Sequence, residues 1–290
     1  MAISQHYQKQ LIELKESYER LRKGKDSLLA IIDEAELSES VYNSNAIENS
    51  TLTLKETEKI LLEMEVSRNV SLREVFEAKN LAKVVEYIRE KSVRAEIDVD
   101  LILLLHHMLI NNIDDEIAGR FRQKDEFVRV GTHIAPGPDK VVAMLDDALI
   151  QYKSSFDRFF LDRIALFHLQ FEHIHPFLDG NGRMGRALMN FQLQNVGFPP
   201  IIIRNKEKKA YYSCFRDYDD KKSTKKLEKI LALALMESLH KRIAYLQGAE
   251  IIRLADHAGN IGKSSATLIN AARRQTIPAF REKGVWKIGN

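Results

Sequence analysis

The chain has 290 residues, 44% of them hydrophobic and 29% charged, and a formal net charge of +3; this is the balance of a soluble globular protein with room for two or three domains. So small a charge does not argue for nucleic acid, and no apolar run approaches the roughly 20 residues that would span a bilayer. The lone cysteine, Cys214, excludes an intrachain disulfide, the first residues lack a signal-peptide pattern, and the expected setting is a reducing cytoplasm with no membrane partner.

Thirteen glycines and six prolines are few, and helical periodicity runs through most of the chain, so a mainly α fold is expected. Leu11, Leu14, Tyr18 and Leu21 mark a first amphipathic helix. A helix is expected at about 38–49, where Ser44 and Glu48 stand four apart on one face and Asn49, which tolerates the left-handed conformation, ends it. Taken alone, Glu48 reads as a solvated helix glutamate. Thr53-Leu-Lys-Glu56 is a capping box that opens a helix through Ile60, Leu61 and Met64. Helices follow over 72–89 and 101–109. Residues 127–136, β-branched and closing on Pro-Gly-Pro, read as a short hairpin, preceded by Gly119-Arg-Phe-Arg122. Further helices are expected over 141–152, 157–173 and 186–196.

Residues 175–186 read His-Pro-Phe-Leu-Asp-Gly-Asn-Gly-Arg-Met-Gly-Arg, an inventory suited to a triphosphate. Glycines let backbone N–H groups close on phosphate oxygens, arginines offer planar donor forks, a carboxylate can hold Mg²⁺, and a histidine can take a proton from an attacking hydroxyl. Gly180, Gly182 and Gly185 also satisfy the dinucleotide fingerprint, but that motif must follow a buried strand, and the preceding residues have helical spacing. His168, His173, His175 and Asp179 could be a zinc cluster, but zinc leaves Asn181, Arg183 and Arg186 unexplained; His168 and His173 read as packed helix histidines.

Residues 227–247 form a long helix with Leu227, Ile230, Leu231, Leu235, Leu239, Ile243 and Leu246 on its apolar side, and Gly248 marks an end or a bend. Residues 251–290 hold seven lysines and arginines against two acids, a net +5. Two helical patterns, 251–258 and 265–274, flank Gly259-Asn-Ile-Gly262, and 277–288 is a hairpin pattern turning near Lys283-Gly284. This order resembles a small winged helix-turn-helix module, with Lys263, Arg273 and Arg274 as candidate DNA contacts; a basic capping domain for protein contacts is the plainer alternative, since charge does not show base readout. The domain division expected is 1–100, 101–226, 227–250 and 251–290.

The pattern His-x-Phe-x-Asp-Gly-Asn-Gly-Arg-x-x-Arg resembles the signature of the Fic (Fido) family without departure, and the resemblance runs over about 35–215. It implies a Fic-type helical bundle and an autoinhibited protein adenylyltransferase, which moves AMP from ATP to a hydroxyl of an unknown target protein and uses Mg²⁺ or Mn²⁺. It implies His175 as catalytic base and Asp179 as metal ligand. Nucleotide contacts fall to Gly180, Asn181, Gly182, Arg183, Met184, Gly185 and Arg186, with Tyr212 near the adenine. The hairpin corresponds to the target-binding flap, with Val128, Arg129, Val130, Gly131 and Thr132. Ser44-Asn-Ala-Ile-Glu48-Asn49 matches the family's inhibitory pattern, in which Glu48 pairs with Arg186. Removal of AMP by the same site, self-modification, and a DNA-binding regulator with a nucleotide-sensing core are the alternatives.

Overall fold

The computed structural model describes residues 3–66, 70–93 and 95–290. Its helices are α1 Gln5–Leu21, α2 Asp26–Ile47, α3 Leu54–Glu58, α4 Leu72–Lys91, α5 Val99–Ile110, α6 Val141–Ser154, α7 Phe160–Ile174, α8 Asn181–Asn195, α9 Lys208–Lys221, α10 Lys225–Gln247, α11 Leu254–Asn260 and α12 Ser265–Arg273. The strands are β1 Arg129–Val130, β2 His133–Ile134, β3 Ile251–Arg253, β4 Ala279–Glu282 and β5 Val285–Gly289. The fold is mainly α, as the scarcity of glycine and proline leads one to expect. No helix among the described residues is long and apolar enough to cross a membrane.

The chain forms two compact units. The first holds residues 38–198 and 202–228; the second holds 3–37, 199–201 and 229–290.

In the first unit α7 packs against α6, α8 and α9, while α4 packs against α5 and α8. Leu161, Ile164, Phe167 and Phe171 of α7 are buried with Leu145, Phe177, Leu188 and Phe191, each removing a side chain worth about 1.5–3 kcal/mol from water. The helix starts follow local capping chemistry. Thr53 accepts from the Glu56 N–H while Glu56 reaches back, a complete capping box; Ser71 and Asp98 cap α4 and α5. The helix expected through Met64 changes character: α3 passes into a π-helical turn, Lys59–Glu63, ended by Met64 at φ 57°. The hairpin pairs Val130 with His133 across Gly131-Thr132, with Gly131 at φ 59° where a two-residue turn of this kind requires glycine.

Two helix boundaries near the motif differ from expectation. α7 starts at Phe160 and ends on His175, whose φ of 52° is left-handed. α8 starts at Asn181, five residues before the expected 186, behind Gly180 at φ 81°. Residues 181–186 are therefore the first turns of a helix, not a loop. Glycine lowers helix propensity, but here tight packing keeps the two helical glycines: a Cβ on Gly182 would lie 2.2 Å from Glu48 Oε1, and one on Gly185 2.4 Å from Glu172 Oε1.

In the second unit β3, β5 and β4 form an antiparallel sheet in that order. Residues 251–253 form β3, paired with β5, where a helix was expected from 251; α11 begins at Leu254. Lys283 and Gly284 turn between β4 and β5 with φ of 49° and 77°, the pair of positive values a two-residue hairpin favours. Leu254, Ala258, Leu268, Ala272, Ala279 and Ile288 make a small separate core. Arg242 is buried and donates to Asp33 (2.5 Å) and Glu36 (2.7 Å), so its charge is doubly compensated. α10 ends before Gly248, at φ 71°.

Candidate active site

A cleft of about 1010 Å³ opens in the first unit, lined by the end of α2, by α4, the hairpin, the end of α7, residues 178–183, Arg186 and α9. His175, Asp179, Gly180, Asn181, Gly182, Arg183, Arg186, Glu48, Asn49, Val130, Gly131, Thr132 and Tyr212 all line it. Residues far apart in the chain thus meet on one surface.

His175 caps α7 in left-handed conformation, which turns its side chain out of the helix register. Its Nδ1–H donates to the Glu172 carbonyl, 3.2 Å away, which leaves Nε2 with its lone pair. Burial pushes its pKa down to about 4, so the ring is neutral at pH 7. The backbone here is clamped by Arg122, which donates to the carbonyls of His175 (2.8 Å), Ile174 (3.2 Å), Glu126 (2.9 Å) and Pro136 (2.9 Å). One buried guanidinium therefore ties the motif to both sides of the hairpin.

The loop 177–181 closes on itself. Asn181 accepts from the Phe177 N–H (2.9 Å) and donates to the Phe177 carbonyl (2.8 Å). The Asn181 side chain is committed to this brace, so toward a phosphate the residue offers its backbone N–H at the start of α8. His106 accepts from the Gly119 N–H at Nδ1 (3.0 Å) and donates from Nε2 to the Asp179 carbonyl (3.1 Å), while its ring stacks on Phe177 at 3.6 Å.

Asp179 is held by cations: Arg73 reaches Oδ2 at 2.5 Å and Arg183 reaches Oδ1 at 3.2 Å. Burial alone would raise its pKa, but Arg183, the Gly180 N–H and Arg73 outweigh it and keep the carboxyl below its ordinary range. Glu77 lies 3.1 Å from Arg73 and 3.4 Å from Arg183.

Arg186 meets the end of α2. Nε donates to Ser44 Oγ and Nη2 to the Ser44 carbonyl, both 2.9 Å, and Nη2 lies 2.9 Å from Glu48 Oε1. Burial disfavours the guanidinium charge, but Glu48 overcomes this and the pKa is raised. α2 ends at Ile47. Glu48 therefore sits in the closing turn, its N–H bonded to the Asn45 carbonyl, and Asn49 follows at φ 70°. The Glu48 carboxylate lies over Gly182, at the α8 N-terminus, where free N–H groups attract an anion.

Tyr212 lines the cleft and donates to the Ile47 carbonyl (3.0 Å); burial pushes its pKa to about 12. Tyr211 is fully buried and shares a 2.7 Å hydrogen bond with His168. Met184 and Gly185 are buried and do not line the cleft; they face the helix packing, as the period of α8 dictates. Val128 and Arg129 also stay off the cleft wall; Val128 accepts from the Ala135 N–H and Arg129 donates to the Gly131 carbonyl. Lys263, Arg273 and Arg274 are exposed in the second unit.

Arg73, Glu77, Asn45, Glu172, His106, His133 and Asp219 escaped sequence reasoning. Arg73 and Glu77, four apart on α4, carry only the signal of a surface ion pair. Glu172 is buried beside His168 and Gly185, and burial, then Glu48, pushes its pKa up to about 8.

Residues 96–193 match the family model described as Fic/DOC family. A protein adenylyltransferase Fic of Drosophila willistoni is 36% identical over 177 residues, which is 59% of this chain and 35% of that protein; that of Drosophila melanogaster is 34% identical over 175 residues, with the same shares. The chain thus spans about a third of the length of the curated relatives it matches. Among solved structures, a Fic domain containing signaling protein from Bacteroides thetaiotaomicron has a TM-score of 0.74 at 25% identity, covering 82% of this chain and 97% of that one. Fic-1 from C. elegans has a TM-score of 0.67 at 26% identity, with 80% and 70% covered. The helical frame and the motif at the junction of α7 and α8 agree with these likenesses: through residues 96–193, the chain is similar to the Fic/DOC family.

Proposed function

We propose that the cleft transfers AMP from ATP to a hydroxyl side chain of a protein target and that Glu48 holds the resting site in check. The observation that carries this reading is the meeting of a neutral His175, its Nε2 lone pair free, with Arg183, Arg186 and the amides opening α8 in a single cleft. Arg186 Nη1 is buried without a hydrogen bond and Arg183 Nη1 has a long ion pair with Glu77 at 3.4 Å, so phosphate oxygens would be stronger partners for both arginines.

The target oxygen forms a bond to the α-phosphorus as the bond from that phosphorus to pyrophosphate breaks. His175 Nε2 takes the hydroxyl proton. The N–H groups at Asn181, Gly182 and Arg183 meet the charge on the phosphate oxygens, and Arg183 and Arg186 neutralise the departing pyrophosphate. Val130, Gly131 and Thr132, on the hairpin beside the cleft, hold the target backbone. Tyr212 borders the adenine. Asp179 offers the hard oxygen ligand that Mg²⁺ or Mn²⁺ requires once Arg73 gives way; the ion, when bound, spreads the charge of the phosphates.

Glu48 acts by placing its own carboxylate on Arg186 and over the α8 N-terminus, against a phosphate of the nucleotide. The primary test is transfer of α-phosphate label from ATP to protein. Loss of transfer in His175→Ala with ATP binding retained supports the assignment; unchanged transfer refutes His175 as base. A separate reading attaches to the second unit, where exposed Lys263 precedes α12 and exposed Arg273 and Arg274 close it; salt-dependent binding of duplex DNA, weakened by their replacement with alanine, tests it.

A further inference from the structure

We propose that His133, His173 and Asp219 form a binding site for a transition-metal ion of the zinc class, which fastens the β1–β2 hairpin to the ends of α7 and α9. The three ligands come from three elements: β2, the last turn of α7, and the carboxy-terminal part of α9. His173 Nδ1 lies 2.6 Å from Asp219 Oδ1, and His133 Nδ1 lies 3.3 Å from Asp219 Oδ2. One ligand atom from each residue can be chosen so that all lie within 4.8 Å of one another. The two imidazole rings stand 4.8 Å apart.

The hydrogen bonding around His133 orients it as a ligand. Its Nε2 is 2.9 Å from the His173 carbonyl oxygen. A carbonyl only accepts, so Nε2 carries the hydrogen and donates. In the neutral ring Nδ1 is then a bare lone pair, and it faces a carboxylate oxygen. Two acceptors facing each other at 3.3 Å call for a proton or a metal ion between them, and the proximity of His173 supplies the further nitrogen that a metal would use. A metal-bound histidine uses this same device, its second nitrogen fixed by donation to a backbone carbonyl.

The donor set selects the ion. Two imidazole nitrogens and one carboxylate suit zinc and its neighbours, not magnesium or calcium, which take oxygen ligands. Tetrahedral bonds of about 2.0–2.2 Å place ligand atoms about 3.3 Å apart. The His133–Asp219 pair is already at that spacing through Oδ2, while His173 now meets Oδ1, so the carboxylate must turn to present one oxygen to both rings. The His173–Asp219 pair must open by about 0.7 Å, and both of these side chains are partly exposed, with freedom to turn. Three protein ligands leave a fourth position for water, and all three residues line the cleft. The site shares no residue with the nucleotide assignment, so its test is independent of adenylyl transfer.

The test uses the full chain, stripped of metal with a chelator and dialysed. Zn²⁺ is titrated by calorimetry, Co²⁺ by visible absorption, and hydrogen exchange of residues 127–136 is read with and without Zn²⁺. One equivalent of Zn²⁺ should bind. His133→Ala and Asp219→Asn should each weaken binding about tenfold or more, with loss of the Co²⁺ bands of low coordination number. Asp179→Ala should keep both binding and bands, and Zn²⁺ should slow exchange in the hairpin. His133 is partly exposed on a two-residue strand, so its replacement leaves the core intact. Absence of stoichiometric binding, binding indifferent to His133→Ala and Asp219→Asn, loss that instead follows Asp179→Ala, or hairpin exchange unaltered by Zn²⁺ would each overturn the proposal; a cluster bridged by a proton alone gives the first of these results.

Discussion

Replacing Glu48 with glycine removes a carboxylate 2.9 Å from Arg186 Nη2. The guanidinium keeps its two bonds to Ser44, so a single charge-assisted hydrogen bond is lost. Such a bond contributes about 1.5–3 kcal/mol. The Glu48 side chain is 34% exposed, and solvent screening places the value at the lower end, about 1.5–2 kcal/mol. If that interaction opposes ATP, AMP transfer at limiting ATP should rise about 10–30-fold, and ATP affinity should rise with it. The assay is the initial rate of α-phosphate label transfer to protein, beside calorimetric titration with a non-hydrolysable ATP analogue. Arg186→Ala should be inactive, and the double variant should match it, because the glutamate then has no arginine to release. A folded Glu48→Gly protein with unchanged or lower transfer and analogue affinity would refute the reasoning.

Three other perturbations have defined outcomes. Gly185→Ala forces a methyl to within 2.4 Å of Glu172 Oε1 and 2.8 Å of the His168 ring; overpacking of this kind costs about 1–3 kcal/mol, and a thermal melt unchanged from the parent would contradict the packing described. Arg122→Leu strips four backbone carbonyls of a charged donor and should lower stability by about 3 kcal/mol or more, with faster hydrogen exchange at 127–136 than elsewhere; uniform exchange would count against the clamp. Burial depresses the pKa of His106 and His175 to about 4 and of His168 to about 3, from 6.5, so their contribution is present above 6.5 and lost as pH falls through 4 to 3. Burial raises Glu172 from 4.5 to about 8, so its contribution is complete below 4.5 and lost as pH rises through 8. The melting temperature should therefore peak near pH 6.5, with Glu172→Gln flattening the decline from there to pH 8; a wild-type protein still gaining stability at pH 8 would refute this.

What could be read from the chain was what lies close together in it. The capping box at Thr53, the turn at Lys283-Gly284 and the chemistry at 175–186 each fit within a dozen residues and need no tertiary partner. The start of α8 was not legible, since Gly180, Gly182 and Gly185 within six residues carry the local signal of a loop. Gly180 takes the left-handed φ that precedes α8, and only Glu48, His168 and Glu172 pressed against Gly182 and Gly185 make glycine the residue the helix needs there. β3 is three residues long, too short for alternation to compete with the helical spacing that follows. Asn181 looked like a phosphate ligand, and its amide instead closes a loop. His133, His173 and Asp219 are separated by 40 and 46 residues, and only the convergence of β2, α7 and α9 makes them neighbours.

The ring of ion pairs formed by Asp179, Arg73, Glu77 and Arg183, with the separate Glu48–Arg186 pair beside it in the cleft, has a thermodynamic consequence. The cleft carries its own counterions. On the proposed function, a magnesium nucleotide would take arginines from carboxylates and a carboxylate from an arginine, so its binding would be an exchange of partners rather than a fresh neutralisation of charge. Its enthalpy should be small for the number of contacts made. Added salt weakens the pairs broken and the pairs formed alike, so affinity should respond to ionic strength far less than three arginines would suggest. A variant missing one internal partner should recover the steep salt dependence that the intact ring conceals.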